Sequence, residues 1–187
     1  MAAQGDIPDA ICPIGRCALD VAPLGSSLWV VWSDGGLVRA DWSEAGATWP
    51  LQEAHPDVLE RPLPDAYAPI LAYLVDGAVD LSELAVDLVG TPFQLRVWSA
   101  LRAIAPGRLR TYAGLAADID SPRATRAVGM ANARNPLPVI IPCHRVVQTG
   151  HLLGGYSGGL DRKRYLLAHE GARVEGDQVR PGQLTLL

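Results

Sequence analysis

Long apolar runs are absent from this 187-residue chain, and nothing in it approaches the roughly 20 residues a membrane-crossing helix needs. The opening Met-Ala-Ala-Gln-Gly-Asp lacks the basic-then-apolar layout of an export signal, so no membrane association and a cytoplasmic location are expected. Cysteine is scarce and odd in number. Cys12, Cys17 and Cys143 cannot form a disulfide framework, and at least one thiol stays free. Lysine is nearly missing, with Lys163 the only one among 16 basic residues. There is no internal repeat and no low-complexity tract. What remains, 49% hydrophobic and 19% charged, suffices for a buried core and excludes disordered and fibrous classes.

The net charge of -4 conceals a division along the chain. Up to Ala85, three basic residues stand against thirteen acidic ones, a net of -10; from Val86 onward thirteen basic face seven acidic, a net of +6. Two differently decorated surfaces would account for this, and so would a polyanion-binding face confined to the second half. The change of sign suggests domains over 1–85 and 86–175, with residues 176–187 as a tail.

In the first half, Ser27 to Trp32 and Leu37 to Trp42 read as strands joined by a tight glycine turn, with Ala18 to Val21 beside them. Residues 51–64 are proline-rich loop, Ala66 to Leu74 a short helix, and Leu81 to Leu88 a strand or connector. The second half is helical. Thr91 caps, Pro92 takes the first position, and Phe93, Val97, Leu101 and Ile104 recur at helical spacing. A second helix spans Thr111 to Ile119. A third is capped by Asp120-Ser121, opened by Pro122, and runs through Arg126 towards Ala133. The last two fit a helix-turn-helix, although any helical hairpin would look similar. Pro136 to Pro142 is expected to be extended, because three prolines forbid helix. It delivers Cys143-His144-Arg145. That cysteine is either a nucleophile or a small buried space-filler, and the dipeptide alone does not decide between them. Gly154 to Gly159 is a glycine-rich loop suited to a ligand or to plain flexibility, and Leu160 to Glu170 a helix ended by Gly171.

Gly90-Thr91-Pro92-Phe93-Gln94, Arg126-Ala127-Val128-Gly129, Asn135-Pro136, Pro142-Cys143-His144-Arg145-Val146-Val147 and Tyr156-Ser157-Gly158-Gly159-Leu160 occur in an order and spacing that resemble the O6-alkylguanine-DNA alkyltransferases, across roughly Val86 to Ala172. The resemblance implies an α+β fold: a small ribonuclease-H-like sheet domain, then a mostly helical winged helix-turn-helix domain. It implies single-turnover DNA repair on double-stranded DNA carrying O6-alkylguanine, by a monomer. Cys143 would accept the alkyl group, His144 would take the thiol proton through a water, and Glu170 would orient and charge-balance the imidazole. Tyr112 would protonate the purine, and Asn135 would hold the turn that places the cysteine. Val146, through its backbone, with Tyr156 and Ser157, would contact the flipped base. Arg126 would fill the gap left in the duplex, the small Ala124, Ala127 and Gly129 would let its helix approach the groove, and Arg123 and Arg134 would hold phosphates. Ala105, Ala133 and Gly154 depart from residues common in the family at those positions.

The chemistry asks for these types. A thiolate suits in-line attack on an alkyl carbon, and the stable thioether product ends the reaction after one turn. At an ordinary thiol pKa of about 8.5, roughly 3% is thiolate at neutral pH, so complete ionisation adds at most about 30-fold; alignment and protonation of the leaving group must supply the rest. No cofactor and no metal are expected; Cys12, Cys17 and His55 are poorly spaced for a closed zinc site. Three other readings stay open. They are a non-catalytic binder of alkylated DNA, against which Cys143 argues, a cysteine hydrolase unrelated to DNA, and an operator-binding regulator.

Overall fold

The computed structural model describes residues 7–8 and 11–182 of the chain. Its secondary structure is mixed α and β. Three antiparallel strands in the order β1 (Gly15–Val21), β2 (Ser26–Ser33) and β3 (Gly36–Glu44) form the main sheet. β2 is buried along its whole length because alternate side chains enter two different cores. Leu28, Val30 and Trp32 join the large core, whereas Trp29 and Val31 meet Val38, Trp49 and Val58 on the opposite face. Helix α1 (Ala68–Val75) sends Ile70 and Tyr73 into the large core. Pro69 sits in its first turn, where a missing N–H leaves no helical bond unmade.

Residues 81–88 form a connector with a single bridge from Leu37 to Val86. Helix α2 (Pro92–Arg102) then starts on a full capping box: the Thr91 hydroxyl accepts from the Gln94 N–H, and the Gln94 side chain accepts from the Thr91 N–H. The two-residue strand β4 (Arg110–Thr111) leads into α3 (Tyr112–Asp118), followed by α4 (Thr125–Ala133). The Trp98 indole N–H donates to the Ala131 carbonyl at 2.9 Å and locks α2 against α4. After the site segment come β5 (Val146–Val147), parallel to β4, then α5 (Leu160–His169) and a hairpin of β6 (Arg173–Glu175) and β7 (Gln178–Arg180).

Three expectations need correction. Helix α4 begins at Thr125, not Pro122, because Asp120 turns left-handed at φ 54° and the Ala124 N–H closes a turn onto the Ser121 carbonyl; Pro122, Arg123 and Ala124 lie in that turn. Residues 136–142 are not extended. The Ile141 N–H bonds the Leu137 carbonyl at 2.8 Å, and Val139 is held at φ 78°. Prolines forbid a helix but not a compact buried turn, and tertiary packing chose the turn. Finally, residue 176 does not begin a tail: Val179 is buried beside Val147, Leu153 and Leu167, and β7 closes the hairpin.

The capping box makes a direct prediction. Thr91→Ala removes one of its two bonds and should lower stability by about 1 kcal/mol, read as a reduced urea midpoint at unchanged slope.

Candidate active site

Cys143, His144 and Arg145 form one turn of 3-10 helix at the end of the compact 136–142 segment. That segment is docked on the main sheet, where the Ala40 N–H of β3 donates to the Pro136 carbonyl at 2.9 Å. Asn135 shapes it from within. Its Oδ1 accepts from the Leu137 N–H at 3.0 Å, while Nδ2 donates to the Ile141 carbonyl at 2.7 Å and to Cys143 Sγ at 3.1 Å. The asparagine expected to hold the turn therefore also touches the sulfur.

Cys143 is 1% exposed. Burial pushes its thiol up to about 11, against opposing contributions from the Asn135 bond, the Lys163 charge and nearby backbone N–H groups. This departs from the ordinary thiol assumed from sequence. At neutral pH a thiol of that pKa is almost wholly protonated, more so than an ordinary thiol.

The next residue in the chain is a histidine. His144 is fully buried, and its Nε2 lies 2.8 Å from Glu170 Oε1 at the end of α5. Glu170 is held well below the usual carboxylate range despite burial, by His144 and Arg145. An ionised Glu170 can only accept, so Nε2 carries the proton and Nδ1 keeps its lone pair; Nδ1 has no hydrogen-bond partner among the described residues. Burial pushes His144 below the ordinary imidazole value, with Glu170 opposing. The ring is thereby neutral at pH 7 and able to take a proton.

Tyr112 opens α3 half-buried. Its ring lies between two glycines, such that a Cβ on Gly129 of α4 would be 3.9 Å from it and one on Gly154 of the glycine-rich loop 3.6 Å. Burial and the nearby Cys143 raise its phenol, which keeps it protonated as a donor. Tyr156 presents its ring edge-on to His144, with centroids 6.5 Å apart. Gly158 allows this loop to close: a Cβ there would fall 2.6 Å from Tyr156 and 3.0 Å from Trp42 of β3. Ser157 is exposed at the loop's rim.

Arg123, Arg126, Ala127 and Arg134 are exposed on the α3–α4 unit, and Ala124 and Gly129 are half-buried there. The Val146 carbonyl, in contrast, is already engaged by the Lys163 Nζ at 2.7 Å.

Sequence reasoning missed four contributors. Lys163 is fully buried, drawn down to about 8 by burial, and also reaches the Gly155 carbonyl at 3.3 Å, so it ties the glycine-rich loop to the cysteine segment. Its signal was available, since the only lysine shares a helical stripe with Leu166 and Leu167. Arg145 clamps Glu170 through Nε and Nη2 and the Ile104 carbonyl through Nη1. Arg162 stacks on Trp42 at 5.3 Å and donates to Gly158 and Ser26, joining the loop to the sheet. Tyr73, far away in sequence, donates to Glu170 at 2.7 Å.

A buried thiol followed by a carboxylate-backed imidazole, in the same half of the chain as an arginine-bearing helix pair, makes a candidate cysteine-centred site. Known proteins resemble the chain in this half. The family model described as 6-O-methylguanine DNA methyltransferase, DNA binding domain, matches residues 92–172. The chain is 46% identical over 117 residues to a methylated-DNA--protein-cysteine methyltransferase of Salmonella typhimurium, and 48% identical over 101 residues to one of Mycobacterium tuberculosis. Those stretches take in 63% and 54% of this chain and span 64% and 61% of the relatives, under two thirds of their length. The crystal structure of the Mycobacterium tuberculosis O6-methylguanine methyltransferase superposes with TM-score 0.66 at 34% identity, covering 87% of this chain and 96% of that one. The Mycobacterium tuberculosis protein solved in complex with DNA gives TM-score 0.64 at 34% identity, with 84% and 92% covered. This chain belongs to the O6-methylguanine-DNA methyltransferase family.

The raised thiol makes a prediction of its own. In the native chain iodoacetamide should label exposed Cys12 well before Cys143, and the Cys143 rate should climb about tenfold per pH unit up to roughly pH 10. Peptide mass spectrometry at timed intervals reads both, and urea should abolish the difference.

Proposed function

We propose that the chain performs direct-reversal DNA repair, moving the alkyl group of O6-alkylguanine in double-stranded DNA onto its own Cys143 once per molecule. The observation that carries this reading is the His144 Nε2–Glu170 Oε1 bond at 2.8 Å on the residue that follows Cys143, which leaves Nδ1 without a hydrogen-bond partner among the described residues. The thiol proton passes to His144 Nδ1 through a water. The sulfur attacks the alkyl carbon in line, the S–C bond forms and the C–O6 bond breaks. Tyr112 protonates the departing purine, so the products are S-alkylcysteine and guanine, and the net proton moves from thiol to base. Asn135 orients the sulfur lone pairs through its 3.1 Å contact. No step calls on a metal or a cofactor.

Since O6 lies inside the duplex, the base must leave the stack at a cost of a few kcal/mol. Arg126, exposed on α4, fills the vacated space and offsets part of that cost. Ala124, Ala127 and Gly129 let the helix lie close to the groove, and Arg123 and Arg134 contact phosphates without reading sequence. The flipped base meets Tyr156, Ser157 and the backbone near Val146. In this reading α3 and α4 form the helix-turn-helix, the β6–β7 hairpin closes its domain as the wing, and β1–β3 with α1 make the ribonuclease-H-like domain. One chain contains every residue the transfer uses, in keeping with a monomer, and an obligatory free thiol favours the reducing cytoplasm.

Incubation with a duplex carrying O6-methylguanine should add one methyl to the Cys143 peptide, with one lesion removed per molecule. An unmodified Cys143 beside intact lesion would end this reading. Arg126→Ala should slow transfer from duplex by about tenfold or more while leaving reaction with free O6-methylguanine within about twofold, measured as single-turnover rates. Equal losses on both substrates would remove the gap-filling role.

A further inference from the structure

The residues assigned to the transfer all lie beyond residue 110, yet the carboxylate that backs His144 is held in part from the first half of the chain. Tyr73 is fully buried on α1, and its hydroxyl donates to Glu170 Oε1 at 2.7 Å, the oxygen that also accepts from His144 Nε2 at 2.8 Å. The tyrosine is fastened to the helix that bears Glu170. The Tyr73 carbonyl lies 2.7 Å from His169 Nε2, and its ring meets the His169 imidazole edge-on at 5.7 Å. Just past α1, a Cβ on Gly77 would fall 2.3 Å from the His169 carbonyl oxygen, so the chain leaving α1 meets the end of α5 at backbone distance.

Resting on the transfer reading above, we infer that Tyr73 is a positioning residue through which the N-terminal half sets the strength of His144 as a base. The hydroxyl takes up part of the negative potential of Oε1. Without it, more of that potential falls on the imidazole and stabilises its protonated form. The other groups facing the pair are Arg145, which donates to both carboxylate oxygens, Lys163 on α5, Cys143 itself and Tyr156 on the glycine-rich loop; His169 packs on Tyr73. A tyrosine serving only to fill space would leave the protonation of His144 where it is.

The test is the pH profile of single-turnover methyl transfer from an O6-methylguanine duplex to the full chain, across about pH 5.5 to 9. Tyr73→Phe keeps the ring and should move the acid limb upward by about half a unit, a roughly threefold rate loss below the limb with a nearly unchanged plateau. Tyr73→3-fluorotyrosine has a more acidic phenol that donates more strongly, and should move the limb the other way. This second variant keeps the hydroxyl, so it guards against a folding defect in the first. A profile scaled by a constant factor, or superimposable on the unaltered chain in both variants, overturns the inference while leaving the transfer reading intact. If the unaltered chain fails to methylate Cys143, both fall together.

Discussion

Glu170 places an ionised carboxylate in the protein interior, and the elements around it are arranged to answer that charge. Arg145 grips both oxygens, His144 donates through Nε2, the Tyr73 hydroxyl adds a bond at 2.7 Å, and the Gly107 N–H donates at 3.2 Å. A buried charge is tolerated only when its lone pairs are satisfied in good geometry. Four segments of the chain must therefore converge within hydrogen-bonding distance: α1, the turn after α2, the cysteine segment and the end of α5. The same constraint sets the histidine tautomer, and with it the side of the ring left to accept a proton.

The candidate nucleophile is in the opposite condition. Cys143 sits among apolar neighbours in the large core, where ionisation is disfavoured and the sulfur is protected from casual reagents. Asn135, Lys163 and local N–H groups partly counter the burial without cancelling it. A thiol so held stays neutral at rest, so under the proposed transfer a partner must remove its proton, and the state of the His144 imidazole would govern that step. Lys163 links this centre to the glycine-rich loop through two carbonyls, and Arg162 and Trp42 link the loop to the sheet. The acidic half of the chain is thus part of the scaffold of the site, not an appendage to it.

Local patterns were legible where local physics decides. The hairpin of β2 and β3, the capped start of α2, the α3 helix and the Gly171 end of α5 each rest on turn, cap or periodicity signals within a few residues, and each formed where expected. Pro136 to Pro142 and the stretch after residue 176 carry weak or permissive local signals, so contacts with distant elements, Ala40 of β3 and the Val147–Leu153–Leu167 cluster, chose among conformations that proline and glycine leave open. Before α4 the choice was local, a left-handed Asp120 and a turn closed onto Ser121 that residue types alone did not signal.

From residue types and spacing alone, the chain specified a Cys-His dipeptide, a helix pair bearing arginines and an acid closing the last long helix, because these are properties of short segments and their order; that the cysteine, histidine and acid act together was implied only by the family resemblance. Only the tertiary structure decided how hard the sulfur is to ionise, that Asn135 touches it, and that Lys163, Arg145 and Tyr73 belong to its surroundings. Burial and hydrogen bonding depend on what the rest of the chain brings close. A tyrosine 97 positions from its carboxylate leaves no mark in the local pattern.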